Sequence, residues 1–347
     1  MITVFTNTVT NLEHQPTISI IRKDIITNTL INNLPNVHII TISEQIDQTW
    51  LIAIHDTNYL EFLKDAYDSF AKSNDYVWGN EYGGLVPANF FRSNPIQLKN
   101  ISAYKLSGCY ASDMISPIYE NTYNNIMVSA NQAYLASEYL ASHPNKIVYV
   151  LNSSPGHHAK RQEYAGYCFI NNPVVAAFHL LECSENIEYV GILDLDYHAG
   201  NGTATIVNDS RFNKIIACSI HCNPLYDYPF YEGFTDDYNN ERIINYPLEP
   251  YCNLLTYKNI LIEACKKIKE FNIGALVIAF GGDTFYDDPD TSPLGRFKLD
   301  LLDYIELGTI VKEHFSNTPI MITQEGGYDM NNIGEIVCNF INGLSRF

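Results

Sequence analysis

The stretch Tyr189-Val190-Gly191-Ile192-Leu193-Asp194-Leu195-Asp196-Tyr197-His198 constrains this chain more than any other. It begins as an apolar run of strand length and then sets Asp194, Asp196 and His198 two residues apart. Side chains alternate faces along a strand with a period of two, so these three share one face near the strand's end. Two carboxylates and an imidazole are costly to bury side by side unless a partner compensates them. A divalent cation is the simplest partner, and a strand running into a solvated polar turn is the plain alternative for the stretch taken alone. Gly200-Asn201-Gly202 follows and lets the chain turn sharply.

The same pattern recurs along the chain. Apolar runs at 146–151, 214–220, 275–280 and 319–323 read as further buried strands, and a β-prone run opens the chain at 2–5. Helical spacing covers 58–71, 120–143, 174–181, 254–271 and 301–315; in the fourth, Leu255, Ile260, Leu261, Ala264, Ile268 and Phe271 are expected to face inward. Continuous apolar strands between helices predict an α/β fold, with a central, mostly parallel sheet covered by helices on both faces. Five of the strands run into polar segments: Ser153 to Ala159, Asp194 to His198, Ser219 to His221, Gly281 to Phe285 and Gln324 to Tyr328. In a parallel sheet all carboxyl ends lie along one edge, where ligands bind. Residues 74–100, with Trp78, Glu81 and several glycines and prolines, read as a long ordered loop lining a site or an interface. No linker or repeat divides the chain, so 1–347 is expected to form a single domain.

The net charge of −18 argues against a nucleic-acid-binding face. It suits a cationic substrate, and equally plain solubility. The eight cysteines include no CxxC pair and read as reduced thiols. Met1 to Asn7 lacks a basic region followed by an apolar core, and no run approaches a membrane span. These features predict a cytoplasmic protein with no membrane partner, and leave open export by a route without a signal.

Asp196, His198 and Asp283 can hold one metal with three protein ligands and leave room for water and substrate, as catalytic zinc sites do. Such an ion lowers the pKa of its water and polarises a carbonyl. His157 and His158 supply adjacent imidazoles that exchange protons near neutral pH, although an isolated His-His pair would read as a solvated loop. Tyr328 can donate its phenol proton to an oxyanion, or simply cap the edge of the core.

Taken together, Ser154-Pro155-Gly156-His157-His158-Ala159, Gly166-Tyr167-Cys168-Phe169-Ile170-Asn171-Asn172, Asp194-Leu195-Asp196-Tyr197-His198, Gly282-Asp283-Thr284-Phe285 and Glu325-Gly326-Gly327-Tyr328 resemble the histone deacetylase superfamily. The likeness is greatest to its bacterial acetylpolyamine amidohydrolases. It begins weakly near His55 to Leu60, is dense over 153–230, and returns at 278–289 and 324–329. The resemblance implies an arginase/deacetylase fold and zinc-dependent amide hydrolysis. On it, Asp196, His198 and Asp283 hold one Zn²⁺, His157 and His158 are the acid/base pair, and Tyr328 stabilises the tetrahedral intermediate. Asp194 orients His157, and Asn201 stands in the corresponding place for His158. Asp194, Asp196, His198, Ser219 and Ile220 match a structural K⁺ site. Tyr167 and Tyr228 match the parallel aromatic walls of a substrate tunnel.

Three features depart from the family pattern. Ala199 stands where most relatives have a second His, which implies altered packing around a surviving metal site. Tyr228 replaces a usual Phe and adds a hydroxyl to the tunnel wall. The 74–100 segment matches only in position a loop through which acetylpolyamine enzymes dimerise and narrow the mouth, which makes a homodimer an expectation. The implied substrate is an acetylated polyamine or an acetyl-lysine side chain, with Asp113 or Glu81 at the mouth holding a second amine. The alternatives are a histone-like protein lysine deacetylase with little polyamine activity and a non-catalytic acyl-lysine binder, for which Ala199 is the support. A two-manganese ureohydrolase would leave His157, His158 and Tyr328 without a role.

Overall fold

The computed structural model describes residues 2–7, 18–42, 49–73, 83–87, 90 and 101–346. Most of the predicted mouth loop, Glu81 included, lies outside these residues. The sheet has eight strands: β1 (Ile2–Asn7), β2 (Val37–Ile42), β3 (Ile147–Val150), β4 (Val190–Asp194), β5 (Ile215–Cys222), β6 (Ile243–Leu248), β7 (Ala275–Phe280) and β8 (Ile320–Gln324). Their order is β2-β1-β3-β8-β7-β4-β5-β6, and every pairing is parallel.

The helices that cover it are α1 (Ile18–Asn33), α2 (Thr57–Ala71), α3 (Ala103–Tyr110), α4 (Thr122–Ser142), α5 (Asn172–Cys183), α6 (Asn201–Val207), α7 (Leu254–Lys269), α8 (Asp303–His314) and α9 (Ile333–Leu344). Successive strand residues supply opposite faces of the sheet. Val148 and Val150 join a core with Phe62 and Phe70 of α2, Ala130 of α4 and Val174 of α5. Tyr149 and Leu151 join a second core with Leu261 of α7, Leu307 of α8 and Phe340 of α9. Both faces are dry, which is why β4, β5, β7 and β8 are buried throughout and read as unbroken apolar runs.

The expected α/β architecture is the observed one. One inward assignment fails: Leu255 is 62% exposed, because it lies in the first turn of α7, off the buried stripe of Tyr257, Leu261, Ala264, Cys265 and Ile268. Among the described residues no helix is long and apolar enough to cross a membrane.

Candidate active site

The strands β3, β8, β7, β4 and β5 are consecutive in the sheet, and these are the five whose ends carry the predicted polar segments. A cavity of about 460 Å³ opens at those ends. It is lined by His157, His158 and Tyr328, by Asp196, His198 and Asp283, and by Tyr167 and Tyr228. Residues up to 171 positions apart are brought together because parallel strands deliver all their carboxyl ends to one edge.

The loop after β3 is pinned from three sides. Glu325, just beyond β8, accepts from the backbone N–H of Gly156 at 2.6 Å and of His157 at 3.1 Å. The His157 carbonyl accepts from Thr203 N at 3.0 Å. The Asn171 side chain caps α5 through Val174 N and donates to the Ala159 carbonyl at 3.0 Å. Burial pushes the Glu325 carboxyl up to about 7 despite the nearby His157.

The two histidines are held differently. His157 Nδ1 lies 3.0 Å from Asp194 Oδ2, and His158 Nδ1 lies 2.8 Å from Asn201 Oδ1. All four residues are buried. Burial disfavours a charged His157, yet Asp196, Asp194 and Glu325 outweigh it and push its pKa up to about 10. Burial, with the neighbouring His157 and His198, holds His158 well below the ordinary value. The rings are 3.9 Å apart, so two adjacent imidazoles sit in oppositely biased surroundings.

Asp196, His198 and Asp283 are all buried, and their ligand atoms lie within 4.8 Å of one another. His198 Nδ1 faces both carboxylates, at 3.3 Å from Asp196 Oδ1 and 3.2 Å from Asp283 Oδ2. Burial and the adjacent Asp196 carboxylate push Asp283 up to about 8. Two carboxylates crowded in this way call for further positive charge. A Cβ added at Gly281 would lie 2.2 Å from Asp196 Oδ2 and 2.4 Å from Asp283 Oδ1, so the chain wraps the pair more closely than any other residue permits. The donor set, the burial and this cradle fit a divalent transition metal.

Of the residues expected at a K⁺ site, the structure pairs Asp194 with Ser219 across β4 and β5, and Ser219 Oγ accepts from Gly200 N at 3.3 Å. At the mouth, Asp113 Oδ1 accepts from Ile115 N at 3.1 Å. Its Oδ2 accepts from Gly166 N at 2.6 Å and from the Tyr228 hydroxyl at 2.9 Å. The extra hydroxyl of Tyr228 is therefore turned into the wall. Ala199 is buried, and its methyl lies 2.6 Å from where a Cβ on Gly233 would stand.

Sequence reasoning did not single out four contributors. Glu325 clamps the histidine loop, and Asp288 holds the Tyr328 segment by accepting from Tyr328 N at 2.6 Å and Asp329 N at 3.0 Å. Buried Arg22 donates to the Gly327 carbonyl and stacks 5.5 Å from the Tyr328 ring centre. Asp290 lines the cavity, and no hydrogen bond or ion pair engages its carboxylate among the described residues. Only Glu325 carried a local signal, a lone acid before Gly-Gly at a strand end.

Residues 15–344 match the histone deacetylase domain. Acetylpolyamine amidohydrolase 2 of Pseudomonas aeruginosa is 30% identical over 295 residues, covering 84% of this chain and 81% of that protein. Acetylpolyamine amidohydrolase 1 of the same organism is 31% identical over 302 residues, covering 84% and 82%. The crystal structure of an acetylpolyamine aminohydrolase from Burkholderia pseudomallei superposes with a TM-score of 0.84 at 23% identity, over 100% of this chain and 99% of that one. The chain belongs to the histone deacetylase family.

Proposed function

We propose that this protein is a zinc-dependent deacetylase that removes the acetyl group from an acetylated polyamine. The observation that carries the reading is the convergence of His157, His158 and Tyr328 on the cavity that holds the Asp196–His198–Asp283 cradle. Asp196, His198 and Asp283 would hold Zn²⁺, which supplies a Lewis acid for the amide carbonyl and lowers the pKa of a water. Neutral His158, with Nδ1 tied to Asn201, offers Nε2 to take the proton of the attacking water. Burial, with His157 and His198 beside it, disfavours keeping that proton, so the leaving amine receives it. Tyr328 donates its phenol O–H to the oxyanion, its backbone fixed by Asp288. We read residues 1–347 as one deacetylase domain, with the β4 and β5 ends as a structural K⁺ site.

The substrate is read from charge as well as from the relatives' names. The Asp290 carboxylate lines this cavity and an adjoining one of about 500 Å³. Burial pushes its pKa up to about 6, and a protonated amine is the natural partner for it. Asp113 already accepts three hydrogen bonds and serves as a wall anchor. Tyr167 and Tyr228 supply the aromatic walls along which a methylene chain would run. A pair of bridging manganese ions is disfavoured, because among the described residues the second buried cluster, His157–Cys168–Glu325, shares no ligand with the first.

Turnover of N-acetylputrescine should disappear on chelation and return with Zn²⁺. Its kcat/KM should exceed that of an acetyl-lysine peptide. A large preference for the peptide would turn the assignment to protein deacetylation, and activity untouched by chelation would end it.

A further inference from the structure

We infer that Glu232 is a positioning residue for catalysis: held by Lys160, it orients the Asn201 amide, which fixes His158 with its proton on Nδ1 and its Nε2 free toward the cavity. The inference rests on the deacetylase reading for its catalytic meaning, and on geometry for the rest. Lys160 Nζ donates to Glu232 Oε1 at 2.6 Å. Asn201 Nδ2 donates to Glu232 Oε2 at 2.6 Å, and Asn201 Oδ1 lies 2.8 Å from His158 Nδ1.

The two histidines pose different problems. An ionised aspartate only accepts, so Asp194 by itself obliges His157 Nδ1 to donate. An asparagine is nearly symmetric in shape, with a donor on one side and an acceptor on the other. Turned one way, Asn201 accepts from His158 Nδ1–H. Turned the other way, it donates to Nδ1 and leaves the proton on Nε2, where the ring cannot act as a base toward the cavity. The backbone of α6 does not choose between them. Glu232 does, because an ionised carboxylate tolerates only the amide N–H₂ beside it. Lys160 holds that carboxylate in place, and its own carbonyl is tied to His55 Nδ1 at 3.0 Å.

Ala199 borders the turn that follows Glu232. Gly233 has φ +112°, a Cβ there would stand 2.6 Å from the Ala199 methyl, and its carbonyl accepts from His221 Nε2 at 2.8 Å. A larger side chain at 199 would displace this turn and carry Glu232 away from Asn201. Lys160 and Glu232 are partly solvated, with side-chain exposures of 16% and 36%, so their ion pair adds little to stability. Its removal should change the histidine more than the fold.

The test compares wild type, Glu232→Leu and the double variant Glu232→Leu/Asn201→Asp. Long-range ¹H–¹⁵N spectra of the imidazoles report the tautomer of His158 in the metal-loaded and the metal-free protein. Wild type should show Nδ1–H. Glu232→Leu should acquire the Nε2–H form and lose about tenfold in kcat on N-acetylputrescine, with KM little changed and the melting temperature kept. Aspartate at 201 needs no helper, so the double variant should return to Nδ1–H. A wild-type His158 protonated on Nε2, or a Glu232→Leu variant with unchanged tautomer and kcat, would overturn the inference. Absence of deacetylation by wild type with the expected tautomers would instead defeat the functional reading alone.

Discussion

At the scale of single residues, the site works by giving like groups unlike surroundings. His157 and His158 are neighbours in sequence, yet a carboxylate holds one and an amide the other. Tyr328→Phe should lower kcat on N-acetylputrescine by about 10²-fold, with KM little changed, since it removes a donor made useful only as charge develops. Asp290 makes a separate prediction. Its pKa of about 6 means that the carboxylate is charged above that pH and neutral below it. KM for a cationic amide should therefore rise as pH falls through about 6, and Asp290→Asn should raise KM at pH 8 while abolishing that part of the pH dependence. Steady-state kinetics from pH 5 to pH 8 measure both. The residues that line the cavity at the strand ends were legible in sequence, because strand ends and period-two spacing announce them. Asp290 and Glu232 were not. Glu232 meets Asn201 from 31 positions away and Lys160 from 72 positions away, through a turn with no periodicity.

At the scale of elements, the sheet was legible wherever both faces are dry. The strand β6 was not: it is an edge strand, half of it only partly buried, and it carries Pro247, which a central strand rarely tolerates. The helix α9 was missed because Gly334 and Gly343 lower its helical propensity, and packing against α1 and α8 overrides that. The cradle between β4 and β7 makes a prediction that does not depend on turnover. Gly281→Ala would force a Cβ against both carboxylates and should weaken Zn²⁺ binding by about 100-fold, read by competition with a chromophoric chelator. A second prediction concerns His55, which joins three segments. It lies next to α2, donates from Nδ1 to the Lys160 carbonyl and accepts at Nε2 from Asn171 N. Burial lowers its pKa to about 4 from 6.5. The unfolded chain therefore binds this proton first, so stability from His55 is complete above pH 6.5 and is lost as pH falls toward 4. The loss is about 3 kcal/mol. Urea midpoints across that range should fall more steeply for wild type than for His55→Asn.

At the scale of the whole molecule, the fold places five strand ends around one cavity, and the chain carries a net charge of −18. The field should draw cationic substrates, so kcat/KM for acetylated polyamines should fall with added salt while that for an uncharged N-acetylalkylamine stays level. The central claim is that a single zinc ion lies among Asp196, His198 and Asp283, beside His157, His158 and Tyr328. Anomalous diffraction at the zinc edge from crystals of the zinc-loaded protein tests it most directly. The account predicts one transition-metal peak per chain, at that triad. A peak at His157–Cys168–Glu325 instead, a second transition-metal peak beside the first, or no peak at all would contradict it.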